Sequence, residues 1–299
     1  MTVDVLADGS RRPGGSAFYS ALQAARLGLR TLILTQGSPA EIERLLEPFQ
    51  EEVELRVLPA PATTTLATSV RLATSTHGAG EQRTQRVLAW AGPIAEVAVD
   101  TAVLHLAPVA RETPRAWSGR ADFVGITPQG LARAWDDGEE HGGPHPAPEE
   151  THREGHTAPE EELGEMRSTP VGREALAGGC DALVLSEHER GSCAELVAAA
   201  REAGTVVAIT AGAQPTSILT TDQREVLVAT PEIADAREDL GAGDVFAAAF
   251  FVALAEGQPP VQAAAFATAA AAVRVSGMGA DAIGNRSAVE QRLCDTPPI

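Results

Sequence analysis

The chain has 299 residues, 44% of them hydrophobic, and a formal net charge of −18. That length can bury a core as one large domain or two smaller ones, and that acidity argues against nucleic acid or an anionic membrane as partner. All 23 basic residues are arginine, so a Walker-A loop, a eukaryotic-type protein kinase and a Schiff-base enzyme are excluded unless their lysine has been replaced.

In chain order, Thr2 to Leu6 alternates like a strand and turns at Asp8-Gly9-Ser10. The chain opens within that strand, so an incomplete or misassigned start is expected. Arg12-Pro13-Gly14-Gly15-Ser16 leads into a helix predicted over 17–27 and ended by Gly28. A buried strand at 31–35, a helix at 41–46 and a strand at 53–58 follow. Another strand opens at Thr63-Thr64-Thr65, with a turn near Gly78 to Gly80 and a strand or helix at 86–91. Buried strands are predicted at 102–106, 123–126, 182–185, 206–210, 217–220 and 225–228, with helices at 193–203, 247–255 and 261–275. Strands alternating with helices imply a mostly parallel sheet covered on both faces.

Residues 136–170 interrupt the pattern. Asp136 to Glu165 holds eleven acidic residues against one arginine, and His145-Pro-Ala-Pro-Glu-Glu returns as His156-Thr-Ala-Pro-Glu-Glu. Four histidines (His141, His145, His152, His156) suggest metal binding, but a duplicated, solvated segment with no apolar face fits better. This acidic insert is expected to be a disordered loop. Three scattered cysteines form neither a disulfide framework nor a zinc site. The longest apolar run is eleven residues and no signal peptide is visible, so a cytoplasmic protein is expected.

The chemistry concentrates in Glu238-Asp239-Leu240-Gly241-Ala242-Gly243-Asp244-Val245-Phe246. Two glycines allow a tight turn and a close approach to a ligand, and the helix that starts there offers unpaired N–H groups to an anion. A carboxylate beside bound phosphate would be repelled unless it works, and a general base for a hydroxyl acceptor is such work.

These elements resemble the PfkB (ribokinase-like) carbohydrate kinases over nearly the whole chain outside the insert. Pro13-Gly14-Gly15-Ser16-Ala17-Phe18-Tyr19-Ser20-Ala21 is similar to the family's diglycine helix, and Gly241-Ala242-Gly243-Asp244 to its catalytic signature. The resemblance implies a single α/β/α sandwich domain with a mostly parallel central sheet and a reduced β-lid. It implies an ATP- and Mg²⁺-dependent kinase acting on a hydroxyl of a sugar, cyclitol or related polyol. Gly241, Ala242 and Gly243 would form the anion hole and Asp244 the base; Asp4, Gly14, Gly15 and Tyr19 would hold substrate. Thr210, Gly212, Gly277 and Gly279 would lie on the nucleotide side, and Glu189 near the metal. The expected partners are a small hydroxylated substrate and, at most, a second copy of the chain as a homodimer. The spacing from Asp4 to Gly14, Thr63-Thr64-Thr65 and Arg86-Val87-Leu88 running on to Gly92-Pro93-Ile94 look most like the myo-inositol kinases of that family.

The chain also departs from the pattern. Tyr19 replaces an asparagine, Ser186-Glu187-His188-Glu189 keeps only the glutamate of Asn-x-x-Glu, Glu238 and Leu240 replace Asp and Thr, and Pro215 replaces a glycine. Each single residue has a plainer alternative. Asp4 could be a strand-end carboxylate, Glu189 a helix cap, Thr210 and Gly212 turn residues, Tyr19 a packed ring and His105 a core histidine. Two other classes stand beside the kinase: a family member that binds without catalysing, and a dinucleotide-binding oxidoreductase. The second fits poorly, because no strand directly precedes Gly241 and the following Ala-rich helix offers no acid for the ribose.

Overall fold

The computed structural model describes residues 1–75, 78–95, 97–113, 117–135, 163–176, 178–222 and 224–296. Strands β1 (Thr2–Val5) and β2 (Arg11–Gly14) form a hairpin that feeds helix α1 (Ser16–Arg26). β3 (Leu32–Gly37), α2 (Pro39–Leu46) and β4 (Glu54–Pro59) make a β-α-β unit whose two strands pair in parallel. β5 (Thr65–Ser75) and β6 (Gly78–Ala89) are a long antiparallel hairpin. Gly78 to Gly80, expected as a turn, therefore pair as strand with Ala73 to Ser75.

The central sheet has six strands. β7 (Val97–Leu106), β8 (Trp117–Ile126), β12 (Ala182–Ser186) and β13 (Val206–Ala211) run parallel. β14 (Gln214–Leu219) and β15 (Glu225–Val228) complete one edge as antiparallel strands. Its β12 is apolar from Ala182 to Leu185 and its β13 from Val206 to Ile209, because both faces are covered there. Ala182, Val184, Val206 and Ala208 face one core, which holds α1 and the helices α4 (Ala242–Ala255) and α5 (Pro260–Val275). Leu183, Leu185, Val207 and Ile209 face the other, against α3 (Ala194–Glu202). A short helix, α6 (Arg286–Cys294), has no apolar stripe in its sequence and was not predicted; Asn285 caps it by accepting from the Ala288 N–H. No helix of the described residues is long and apolar enough to cross a membrane.

Helix α4 is apolar all round because it is buried all round, with Val245 to Ala253 inaccessible. Gly125 on β8 lets it in: a Cβ there would lie 2.4 Å from the Phe251 ring. His105 packs edge-on to the same ring at 4.9 Å and bonds Thr127 Oγ1 through Nε2. Burial pushes its pKa down to about 3, so it is a neutral core histidine.

A second sheet has β6, β5, β1 and β2 in that order, with a two-residue strand added at the β6 edge. β10 (Gly164–Glu165) and β11 (Arg167–Ser168) come from the end of the acidic insert. β10 pairs with Arg86 and Val87 of β6, and β11 with β9 (Arg133–Ala134). The disordered loop expected over 136–170 is thus corrected at its end: 163–168 pair with the body of the protein, because strand edges at 86–87 and 133–134 accept them. The rest of the insert, 136–162, with its four histidines, lies outside the described residues.

Candidate active site

The second sheet, the β9–β11 pair, the loops that follow β7 and β8, and the starts of α1 and α4 line a cavity of about 580 Å³. Asp4, Gly15, Tyr19, Gly241, Gly243 and Asp244 all line it, together with Thr2, Gln129, Arg133 and Asp239. The sequence brings them there by simple means. In β1 the side chains of Thr2 and Asp4 share one face while Val3 turns to the core, and all three are buried. Gly14 follows on the paired strand, where a Cβ would overlap the Asp4 carboxylate at 2.2 Å. Gly15 has φ 79° and caps α1.

Gly241 is the N-cap of α4 at φ 78° and ψ 0°. A side chain there would be strained, and its Cβ would sit 2.5 Å from the Tyr19 ring. Tyr19 is therefore the floor under the glycine turn. It packs edge-on to Phe18 at 5.2 Å, beneath the Arg274 guanidinium at 5.8 Å. Burial pushes its hydroxyl up to about 12. The expected substrate contact and the packed-ring alternative meet in this residue, which both supports the turn and lines the cavity.

Asp244 lies in the first turn of α4. Burial pushes its carboxyl up to about 6, against the pull of the Ser16 hydroxyl and the Arg133 guanidinium; Glu189 and Asp4 push it further up. A carboxylate near 6 is ionised at neutral pH yet basic enough to accept a hydroxyl proton. Asp4 is also raised by burial, offset by the Thr2 hydroxyl at 3.2 Å and by Arg12 and Arg133.

The loop before α4 is fixed by a network the sequence did not reveal. Arg274, on α5, is wholly buried and donates Nη2 to Glu238 Oε2 (2.8 Å) and to the Leu240 carbonyl (2.7 Å). Its Nη1 reaches the carbonyls of Glu238 (3.3 Å) and Gly277 (3.4 Å). Arg12 donates to Glu238 Oε1 at 2.8 Å and the Gly279 N–H to Oε2 at 2.7 Å. Burial alone would push the Glu238 carboxyl up, but Arg12, Gly279 and Arg274 outweigh it and hold it at about 2. The only sequence signal was an arginine interrupting the apolar run of α5.

The expected nucleotide-side residues do not line the cavity. Thr210 Oγ1 bonds the Leu185 carbonyl at 3.4 Å, and Gly212 makes the β13–β14 turn at φ 61°. Gly277 and Gly279 serve the Glu238 network. Glu189 accepts from the N–H and hydroxyl of Ser186 through Oε2, capping its own short helical turn. Among the described residues no three His, Cys, Asp or Glu side chains converge to hold a metal. Magnesium binds through one or two carboxylates plus substrate phosphates; Glu189 is not among the residues that line the cavity, but its charge acts on both Asp244 and Arg133, which are.

Residues 174–286 match the model of the pfkB family carbohydrate kinase. Among solved structures, ribokinase of Arabidopsis thaliana complexed with ribose and ATP is similar at 18% identity and a TM-score of 0.65, over 98% of this chain and 96% of that chain. A pyrophosphate-dependent kinase in the ribokinase family, complexed with a pyrophosphate analog and myo-inositol, is similar at 17% identity and a TM-score of 0.64, over 97% of both chains. Fructokinase from Vibrio cholerae O395, bound to fructose, ADP and calcium ion, follows at 18% and 0.59, over 98% of this chain and 96% of that chain. At these identities the likeness establishes the fold. No curated protein matches the sequence.

Proposed function

This chain has the ribokinase-like fold, with residues 174–286 matching the pfkB family of carbohydrate kinases, and we propose on that premise that it phosphorylates a hydroxyl of a sugar, cyclitol or related polyol. The observation that carries the reading is one cavity lined by both the Asp244 carboxylate and the glycine turn at the start of α4. Asp244 accepts the proton of the acceptor hydroxyl, and the N–H groups after Gly241 stabilise the charge on the transferring group. Asp4, with Thr2 beside it, orients the acceptor. Positioning and charge supply nearly all of the catalysis, because phosphoryl transfer asks little covalent chemistry of the protein. A magnesium ion held with the donor phosphates by Glu189 would neutralise their charge.

The donor we propose is ATP. The wall of the cavity favours a second reading of the donor: none of Thr210, Gly212, Gly277 and Gly279 reaches it, and inorganic pyrophosphate needs no adenine pocket. Both donors should be offered with a panel of polyols, sugars and nucleosides, with and without Mg²⁺, and product followed by phosphorus NMR. Turnover of one donor with one acceptor class supports the kinase; no turnover, with the acceptor still bound, favours a binding module.

A further inference from the structure

Arg133 lines the same cavity but belongs to none of the motifs above. It lies on β9, opposite Ser168, so the end of the insert clamps its backbone. Arg111 Nε donates to its carbonyl at 2.7 Å, and its own Nη1 donates to the Val109 carbonyl at 3.2 Å. Nε and Nη2 make no hydrogen bond or ion pair to any described residue. A guanidinium has five N–H donors in a fixed fork, so most of this one is unspent, in a cavity that Asp244 also lines. Burial lowers its pKa, while Glu189, Asp244, Glu112 and Asp4, in that order, pull it back. The guanidinium thus shares one cavity with the carboxylates of Asp244 and Asp4.

We propose that Arg133 is a catalytic residue whose open fork binds the oxygens of the phosphoryl group as it passes from donor to acceptor. The chain contains no lysine, and an arginine fork matches phosphate geometry better than a point charge. The acceptor oxygen forms a bond to phosphorus, the bond from phosphorus to the bridging donor oxygen breaks with its electron pair leaving on the donor, and the acceptor proton passes to Asp244. Arg133 forms no covalent bond; it stabilises charge. This rests on the kinase reading of the site.

The test compares wild type with Arg133→Gln and Arg133→Lys, using calorimetry with inorganic pyrophosphate and with a polyol acceptor, then turnover. For Arg133→Gln we expect pyrophosphate binding at least ~10-fold weaker, acceptor binding unchanged and turnover lower by about 10²–10³, with Lys intermediate. Added guanidinium ion should restore part of the loss in Arg133→Ala. Pyrophosphate binding and turnover at wild-type levels in Arg133→Gln would overturn the proposal, as would lost acceptor binding with pyrophosphate binding kept. Should the Gln variant fail to fold, the Lys variant decides: unchanged pyrophosphate affinity and turnover reject the fork. A wild type that turns over no donor but loses pyrophosphate binding on Arg133→Gln would sink the kinase reading while sustaining the anion site.

Discussion

Glu238 and Arg274, 36 positions apart, meet through a 2.8 Å ion pair in which the guanidinium is wholly buried and also holds the carbonyls on either side of Asp239. The arginine thereby fixes the main chain that turns into Gly241. Removing the carboxylate leaves that buried charge unpaired, so Glu238→Gln should cost about 3–5 kcal/mol. Its folded pKa lies below the ordinary value of 4.5, so the stability it contributes is full above that pH and is lost as pH falls toward 2. Urea melts between pH 5 and 2.5 should show wild type losing an increment that Glu238→Gln lacks throughout. Equal midpoints across that range would disprove the coupling.

Asp244→Asn keeps the shape of the helix entry and removes the base. Turnover should fall by about 10²–10⁴, with donor binding equal or tighter because a negative charge beside phosphate is gone. Single-turnover kinetics beside calorimetry separates the two effects. A variant that turns over near the wild-type rate would show that Asp244 is not the base.

The same carboxyl sets two pH dependences of opposite sense. Its folded pKa of about 6 lies above the ordinary 3.8, so the folded state binds more protons between those values. Stability from this group is full below that window and is lost as pH rises through 6. Activity should rise over the same range with a limb near 6. The melting temperature of Asp244→Asn should exceed that of wild type at pH 7.5 and match it near pH 4.

Gly241→Ala places a side chain at φ 78° and its Cβ 2.5 Å from the Tyr19 ring. The conformation alone costs about 1–2 kcal/mol, and the ring must move as well. Phosphate or pyrophosphate affinity should drop more than acceptor affinity. Unchanged anion binding would mean that the turn is not the anion site.

Much of this was readable in the sequence where period and composition speak. The apolar runs at 182–185 and 206–210, the two glycine motifs and Asp244 carry local signals, and the structure sets both motifs around one cavity. Other parts depend on tertiary partners. Arg274 is the one charged residue of α5, and its role exists only because Glu238 arrives from another segment. Helix α6 carries no amphipathic stripe. Glu165 to Ser168 looked like the tail of an acidic loop, yet they line the cavity because the edges of β6 and β9 accept them. Arg133 carried no motif at all.

The ion pair between Arg12 and Glu238 joins residues 226 positions apart, and α1 packs on α4 across a similar interval. During synthesis, the first twenty residues must wait for most of the chain before either partner exists. Such non-local closure is slow, and the apolar face of α1 stays uncovered meanwhile, inviting aggregation or chaperone capture. Truncation before residue 242 should therefore yield an insoluble product rather than a weakened enzyme. Refolding of the whole chain should regain cavity ligand binding only in its last kinetic phase.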